Sequence, residues 1–146
     1  MGEPHEMHFA FDFYPLQSQE HTRIWPFFEN LKHGRLTTTK CRNCASILWQ
    51  PRVVCPRCNH DGMEWIDLPA TGRVFAFTAV YAGAPLGMEK DVPFVIAIVE
   101  LEGSPMKVVA RIDDVGYEDL KIGDAVRLKV IDLAGGRVWF RFLPAR

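Results

Sequence analysis

From about Thr71 onward, runs rich in β-branched and aromatic residues alternate with glycine-bearing breaks. Arg73–Tyr81 (RVFAFTAVY), Phe94–Leu101 (FVIAIVEL) and the shorter Lys107–Ile112 (KVVARI) read as strands. Val126, Leu128 and Val130 alternate with Arg127 and Lys129. Val138, Phe140 and Phe142 alternate with Arg137, Trp139 and Arg141, the period of two further half-buried strands. Gly72, Gly83, Gly103, Gly123 and Gly135-Gly136 fall between them, and Tyr117–Lys121 predicts one helical turn between the third and fourth. Five strands in about 75 residues with that helical element predict a small Greek-key barrel of the OB type, a plain sandwich being the alternative.

Upstream the period changes. Ile24, Phe27, Phe28 and Leu31 are spaced i, i+3, i+4 and i+7, one helical stripe. Pro26 suits the first turn, where its missing N–H costs nothing, and Gly34 suits the position just past the end. Two turns are too few for an isolated helix, so it must dock on the β body or on a partner subunit. The preceding Phe9–Tyr14 segment is aromatic without either periodicity and predicts an interface arm, with intramolecular docking as the alternative.

Between helix and barrel lie Cys41-x-x-Cys44 and, ten residues on, Cys55-x-x-Cys58. A two-residue gap lets one tight turn aim both sulfurs at a common point. Two such knuckles supply four ligands for a tetrahedral ion with metal–sulfur bonds of roughly 2.3 Å. The reading is one structural Zn2+ ion, with rubredoxin-like iron as the rival metal. Disulfides suit secreted miniproteins, and a redox pair needs only one CxxC. Four thiolates leave no open coordination position, so such an ion holds the fold and activates nothing. The intervening ASILWQPRVV has the length and β-branched content of a short strand pair.

Composition narrows the function. Apolar residues at 48% against 24% charged supply a packed core for one domain with an appendage. The longest wholly apolar run, Phe94–Val99, falls far short of the ~20 residues of a membrane helix. The acidic start, MGEPHEMHFAFDFYP, has no signal-peptide pattern, so a cytoplasmic protein is expected. The net charge of −1 disfavours a strongly basic nucleic-acid binder, yet it is unevenly spread. Residues 1–29 hold five acids and one base, residues 30–60 six bases and no acid, and residues 61–146 ten bases and thirteen acids. The basic island coincides with the knuckles. It either offsets a thiolate cluster of net charge about −2 or meets phosphates.

Chemistry-bearing residues are scarce in the barrel. From Asp61 to Arg146 there is no cysteine, no histidine and one serine, Ser104. With the four thiols committed to metal, no nucleophile–base–orienter set can be assembled. A non-catalytic subunit is expected. Trp139, on the outward row with Arg137 and Arg141, either covers a seam between lobes or stacks a base or partner. The twelve-residue loop Ala82–Pro93 is long enough to serve as a ligand or partner rim.

The order of parts then carries a resemblance. Short aromatic helix, four-cysteine ribbon and five-stranded barrel together resemble the acyl-CoA-associated zinc-ribbon/OB-fold family labelled domain of unknown function thirty-five, from about Trp25 to Pro144. Phe27-Phe28 with Leu31, Gly34 and Leu36 look like its helix and lead-in. Cys41, Cys44 and Cys55-Pro56-Arg57-Cys58 look like its knuckles, with Gln50-Pro51-Arg52 where an aromatic-Pro-Pro-Arg stretch is common. Gly72–Val80, Pro93–Gly103 and Ile122–Val126 are similar to barrel strands and turns of the family. Ala45 and Asn59 depart from it, standing where glycines often follow each knuckle. So do the single proline at Pro51 and the arm before residue 17.

The resemblance implies a mostly β fold with a short N-terminal helix and a rubredoxin-like zinc ribbon followed by a five-stranded OB-fold barrel. Its expected divisions are residues 1–34 (arm and helix), 35–68 (ribbon) and 69–146 (barrel). It also implies assembly with a thiolase-like enzyme, a thiolase or an aldolase, whose own residues perform C–C bond cleavage or formation while the small subunit helps accommodate acyl-CoA. Under that implication Arg42, Arg52 and Arg57 are the candidate CoA-phosphate or partner contacts. Trp25, Phe27, Phe28 and Trp139 are the candidate partner-interface residues. The rival from another class is a single-stranded nucleic-acid binder, which predicts steep salt dependence. An iron electron carrier would be coloured, and independent catalysis would show as acyl-CoA turnover by the isolated chain.

Overall fold

A computed structural model describes residues 16–84 and 88–145. The Phe9–Tyr14 arm lies outside the described residues, as do residues 85–87 of the long loop. The helix, α1, spans Trp25–Lys32 with Pro26 in its first turn. It ends where Gly34, at φ 75°, lets the chain reverse. There Gly34 N donates to Leu31 O and Arg35 N to Asn30 O, which satisfies two of the carbonyls a helix end otherwise leaves open. The apolar stripe is buried as its spacing requires, with Phe27, Phe28 and Leu31 all 2% exposed or less.

β1 (Thr37–Cys41), β2 (Ile47–Leu48) and β3 (Met63–Asp67) form an antiparallel sheet in the order β2-β1-β3. The stretch ASILWQPRVV therefore contributes one two-residue strand, not a pair. The partners of β2 lie outside it, and after Leu48 the chain leaves the sheet so that Trp49 packs on Phe27 of the helix and on Phe140 of the barrel. The sequence pattern does not single out β1, because TTTKC has no apolar alternation. Thr37, Thr38 and Thr39 are nonetheless 0–2% exposed. Their hydroxyls are satisfied: Thr37 accepts from Asn30 Nδ2 at 3.1 Å, Thr38 donates to Leu48 O, and Thr39 bonds both O and N of Arg52. Burial of these hydroxyls is tolerable only because each has a partner.

β4 (Thr71–Val80), β5 (Phe94–Leu101), β6 (Lys107–Ile112), β7 (Ala125–Asp132) and β8 (Val138–Pro144) close into a barrel in the order β4-β5-β6-β8-β7. A one-turn 3-10 segment, Tyr117–Asp119, sits between β6 and β7. All strand neighbours are antiparallel except β6 and β8, which meet in parallel at Ile112 and Phe142. This is the OB arrangement and excludes the plain sandwich. Gly72, in register with Leu101, is required by closeness: a Cβ there would lie 2.5 Å from Glu100 O.

Inward residues Val74, Val99, Val108, Val126, Phe140 and Phe142 are at most 2% exposed. They belong to one cluster that continues into Leu36, Phe27 and Phe28, so the core crosses from barrel to helix without a break. Phe27 makes edge contacts with Trp49 of the ribbon at 5.9 Å and with Trp139 and Phe140 of β8 at 6.1 and 6.4 Å. The helix is the wedge that joins the two β units. No helix among the described residues is long and apolar enough to cross a membrane.

Candidate metal centre

Both knuckles use the same backbone device. β1 delivers Cys41, whose N–H reaches Ser46 O at 2.9 Å while Ala45 N reaches back to Cys41 O at 2.9 Å. In the second knuckle Cys55 N bonds His60 O and Asn59 N bonds Cys55 O, at 2.9 and 2.8 Å. Ala45 and Asn59 both have φ 61°, the left-handed conformation that glycine adopts without cost. The two departures from the family's glycines thus keep the glycine geometry.

The turns bring the four sulfurs together. Cys41 and Cys58 Sγ are 3.6 Å apart, as are Cys44 and Cys55 Sγ, and all four lie within 4.8 Å of one another. A tetrahedral ion with bonds of about 2.3 Å requires sulfur–sulfur edges of about 3.8 Å. Disulfides, at about 2.05 Å, are excluded by the same distances, and the cysteines are free. The donor set therefore fits a four-thiolate structural zinc and leaves no position for substrate.

Each pair combines one buried and one half-exposed sulfur: Cys41 and Cys55 are 0% exposed, while Cys44 and Cys58 reach the surface. Their environments differ accordingly. The Ser46 hydroxyl and backbone N–H, opposed by burial, hold the Cys44 thiol down to about 6. The Asn43 side-chain amide and the His60 backbone N–H lower Cys58. At Cys41 the backbone N–H of Cys44 pulls downward, but burial and the neighbouring sulfurs of Cys58 and Cys44 push the thiol up to about 11.

Three of the six bases of the island face acids from the helix and the ribbon sheet. Lys32 pairs with Glu29 at 2.9 Å, Arg35 with Asp67 at 2.8 Å and Arg42 with Glu64 at 3.8 Å. Arg57 Nη1 donates to Ser46 Oγ at 3.4 Å. Arg52 is exposed, its backbone fixed by Thr39, and its side chain makes no ion pair among the described residues. The three arginines thus share one ribbon, with the side chains of Arg42 and Arg57 held by Glu64 and Ser46 and that of Arg52 turned to solvent.

Of the four aromatic interface candidates, Phe27 and Phe28 require correction. At 2% and 1% exposed they form the interior wedge, because the helix docks on this chain's own barrel. Trp139 covers the seam between lobes, 5.0 Å from Phe140, and like Trp25 it is half-buried.

Sequence reasoning missed an apolar strip on the outside of the barrel. The β4–β5 register slips between Val74 and Ala76, leaving the extra residue Phe75 51% exposed. Ile98 of β5 lies between Ala76 and Val109, and Ile96 between Thr78 and Arg111. Val109 is 61% exposed. Opposite charges close the strip at both ends. Lys107 pairs with Glu100 at 2.9 Å and lies 4.7 Å over the Phe75 ring. Arg111 pairs with Asp91 at 2.8 Å and lies 4.7 Å over Phe94. The signal for it was FVIAIVEL itself, too apolar for a strand with one solvated face.

Comparison with known proteins agrees with this geometry. Residues 28–64 match the family "ChsH2, rubredoxin-like zinc ribbon domain", and residues 65–132 match "ChsH2, C-terminal OB-fold domain". A DUF35 domain-containing scaffold protein of Methanocaldococcus jannaschii is 36% identical over 89 residues, 60% of this chain and 62% of that protein. This chain therefore spans somewhat under two thirds of that relative. The scaffold protein of the same description from Pyrococcus furiosus is 33% identical over 107 residues, 73% of this chain and 75% of that protein. Among solved structures, one described as "Ltp2-ChsH2(DUF35) aldolase" superposes with a TM-score of 0.70 at 24% identity, covering 82% of this chain and 92% of that one. At that identity it shows the shared fold.

Proposed function

Since the chain belongs to the DUF35 family of zinc-ribbon/OB-fold proteins, we propose that it is a non-catalytic scaffold subunit that assembles with a thiolase-like enzyme, a thiolase or an aldolase, and supports acyl-CoA binding by that partner. The carrying observation is the apolar strip across β4–β6, in which Phe75 and Val109 are exposed and Ile96 and Ile98 half-buried between them. The outer face of the second and third barrel strands is where OB folds receive their ligands. Single-stranded nucleic acid requires stacking aromatics in a basic groove. Here the centre is mainly aliphatic and the flanking charges come in opposite pairs, which suits a protein surface. The similar solved structure, an aldolase named for a DUF35 chain together with Ltp2, supports an enzyme as the partner class.

The zinc ribbon and its helix pack on β8 through Phe27 and Trp49, and in this reading they hold the fold and add no reaction step. Arg52, exposed and free of ion pairs among the described residues, is the best placed of the three ribbon arginines to meet a CoA phosphate or an acidic partner group. Arg42, at 3.8 Å from Glu64, could turn outward with it.

The test is co-expression of the full chain with a thiolase-like partner, followed by co-purification and calorimetry with acyl-CoA. Phe75→Asp and Val109→Asp should abolish the complex while leaving the isolated chain's melting temperature within a few degrees. Retention of the complex by both variants would overturn the docking face. Unchanged CoA affinity of the complex carrying Arg42→Ala/Arg52→Ala would remove the phosphate role.

A further inference from the structure

The two surface-reaching sulfurs of the metal centre, one in each knuckle, each have a side chain against them. Asn43 Nδ2 donates to Cys58 Sγ at 3.5 Å, bridging from the first knuckle to the second. Ser46 Oγ lies 3.2 Å from Cys44 Sγ. Arg57, on the second knuckle, donates from Nη1 into Ser46 Oγ at 3.4 Å. The remaining sulfurs, Cys41 and Cys55, are fully buried.

The chemistry of these groups sets a direction. A guanidinium has only donors, and a serine hydroxyl has one proton and two lone pairs. Once Arg57 occupies a lone pair of Ser46, the hydroxyl proton is free to turn toward the adjacent sulfur. A metal-bound thiolate is acceptor-only, so the Ser46 proton meets charge there. We infer that Asn43 and the Arg57–Ser46 relay form an outer shell of the metal centre that screens its two surface-reaching sulfurs and governs how firmly the ion is retained. The two links cross between the knuckles in opposite senses, Asn43 to Cys58 and Arg57 to Ser46. Each knuckle therefore secures the other's exposed side. Arg57 acts here as a positioning residue for Ser46, which accounts for a cation of the basic island without a phosphate.

Outer-shell hydrogen bonds of this type typically carry about tenfold or more in metal affinity. Removing a donor leaves its thiolate more electron-rich, hence more open to protons, oxidants and competing chelators.

The experiment loads the full chain with zinc, or with cobalt(II) as a spectroscopic substitute, and follows transfer of the ion to a chromophoric chelator. Ser46→Ala and Asn43→Ala should each speed zinc release about tenfold. The thiolate-to-cobalt charge-transfer band should move to lower energy, because the unscreened sulfur gives up its electron more easily. Ser46→Thr, which keeps the hydroxyl, should restore both values. Arg57→Ala should speed release in the native background and change nothing further in Ser46→Ala, the signature of a role exercised through the hydroxyl. Unaltered release and an unmoved band in both single variants would overturn the outer shell. An Arg57→Ala effect of equal size with and without Ser46 would overturn the relay. The band reads the sulfurs directly, so a general loss of stability cannot imitate the shift.

Discussion

Gln17 and Val138, 121 residues apart, are joined by two hydrogen bonds: Gln17 Nε2 donates to Val138 O at 2.8 Å, and Val138 N donates to Gln17 Oε1 at 2.9 Å. A side-chain amide carries the same donor and acceptor as a peptide group. Gln17 therefore stands in for a neighbouring strand at the start of β8, four residues before β8 meets β6 at Phe142.

Replacing Gln17 by Ala leaves the N–H and C=O of a 3%-exposed residue without those partners. The expected loss is about 1–3 kcal/mol, and Gln17→Glu, which keeps the acceptor but lacks the donor, should lose as much. Urea denaturation of the zinc-loaded variants checks this; a midpoint equal to that of the parent protein would exclude a stabilising role.

At the other end of the same seam, Asp113 ties three strands. Its N–H extends the ladder to Phe142 O. Its carboxylate, 10% exposed, accepts from Arg141 Nη1 at 3.2 Å to each oxygen and from Lys129 Nζ at 3.3 Å. Arg111 Nε is also 3.3 Å from Oδ1, although its angle is too poor for a hydrogen bond. Asp113→Asn removes the charge common to these three cations. With Lys129 partly solvated, the expected cost is about 2–3 kcal/mol. Thermal unfolding should show the loss, and Asp113→Asn/Lys129→Met should recover part of it.

Ala45 at φ 61° stores strain that a glycine would release. Ala45→Gly should raise stability by about 1 kcal/mol, and Asn59→Gly by less, since asparagine tolerates this region. Neither touches a ligand sulfur, so the cobalt spectrum should stay unchanged. A destabilised Ala45→Gly protein would contradict the backbone geometry.

Metal uptake should displace protons in a pH-dependent number. At pH 8 Cys41, pushed up to about 11, releases a proton to the buffer as the ion binds, whereas Cys44, held at about 6, is already a thiolate. As pH falls through 6, Cys44 protonates too, so more protons are displaced per ion and affinity falls more steeply. Calorimetry in buffers of different ionisation enthalpy counts these protons. A count that stays constant between pH 8 and pH 5 would refute the assignment.

Much of the fold is local in origin and was legible. The five barrel strands lie within two residues of their sequence-predicted bounds, because alternation and β-branched content act over neighbouring positions. The four metal ligands were legible for the same reason, each CxxC turn being set by its own few residues. What escaped was nonlocal. β1 is a threonine run whose burial depends on Asn30, Leu48 and Arg52, none of them its neighbours in sequence.

By itself, then, the sequence determined the order of helix, ribbon and barrel, the four cysteines of the metal cluster, and the membership that these imply. Tertiary structure alone decided which aromatics face inward, which three bases of the island pair with Glu29, Glu64 and Asp67, and where an apolar strip is left outside. The physical reason is range. Periodicity and turn chemistry act over a few residues, whereas charge pairing and burial depend on which distant segments the closed barrel brings together.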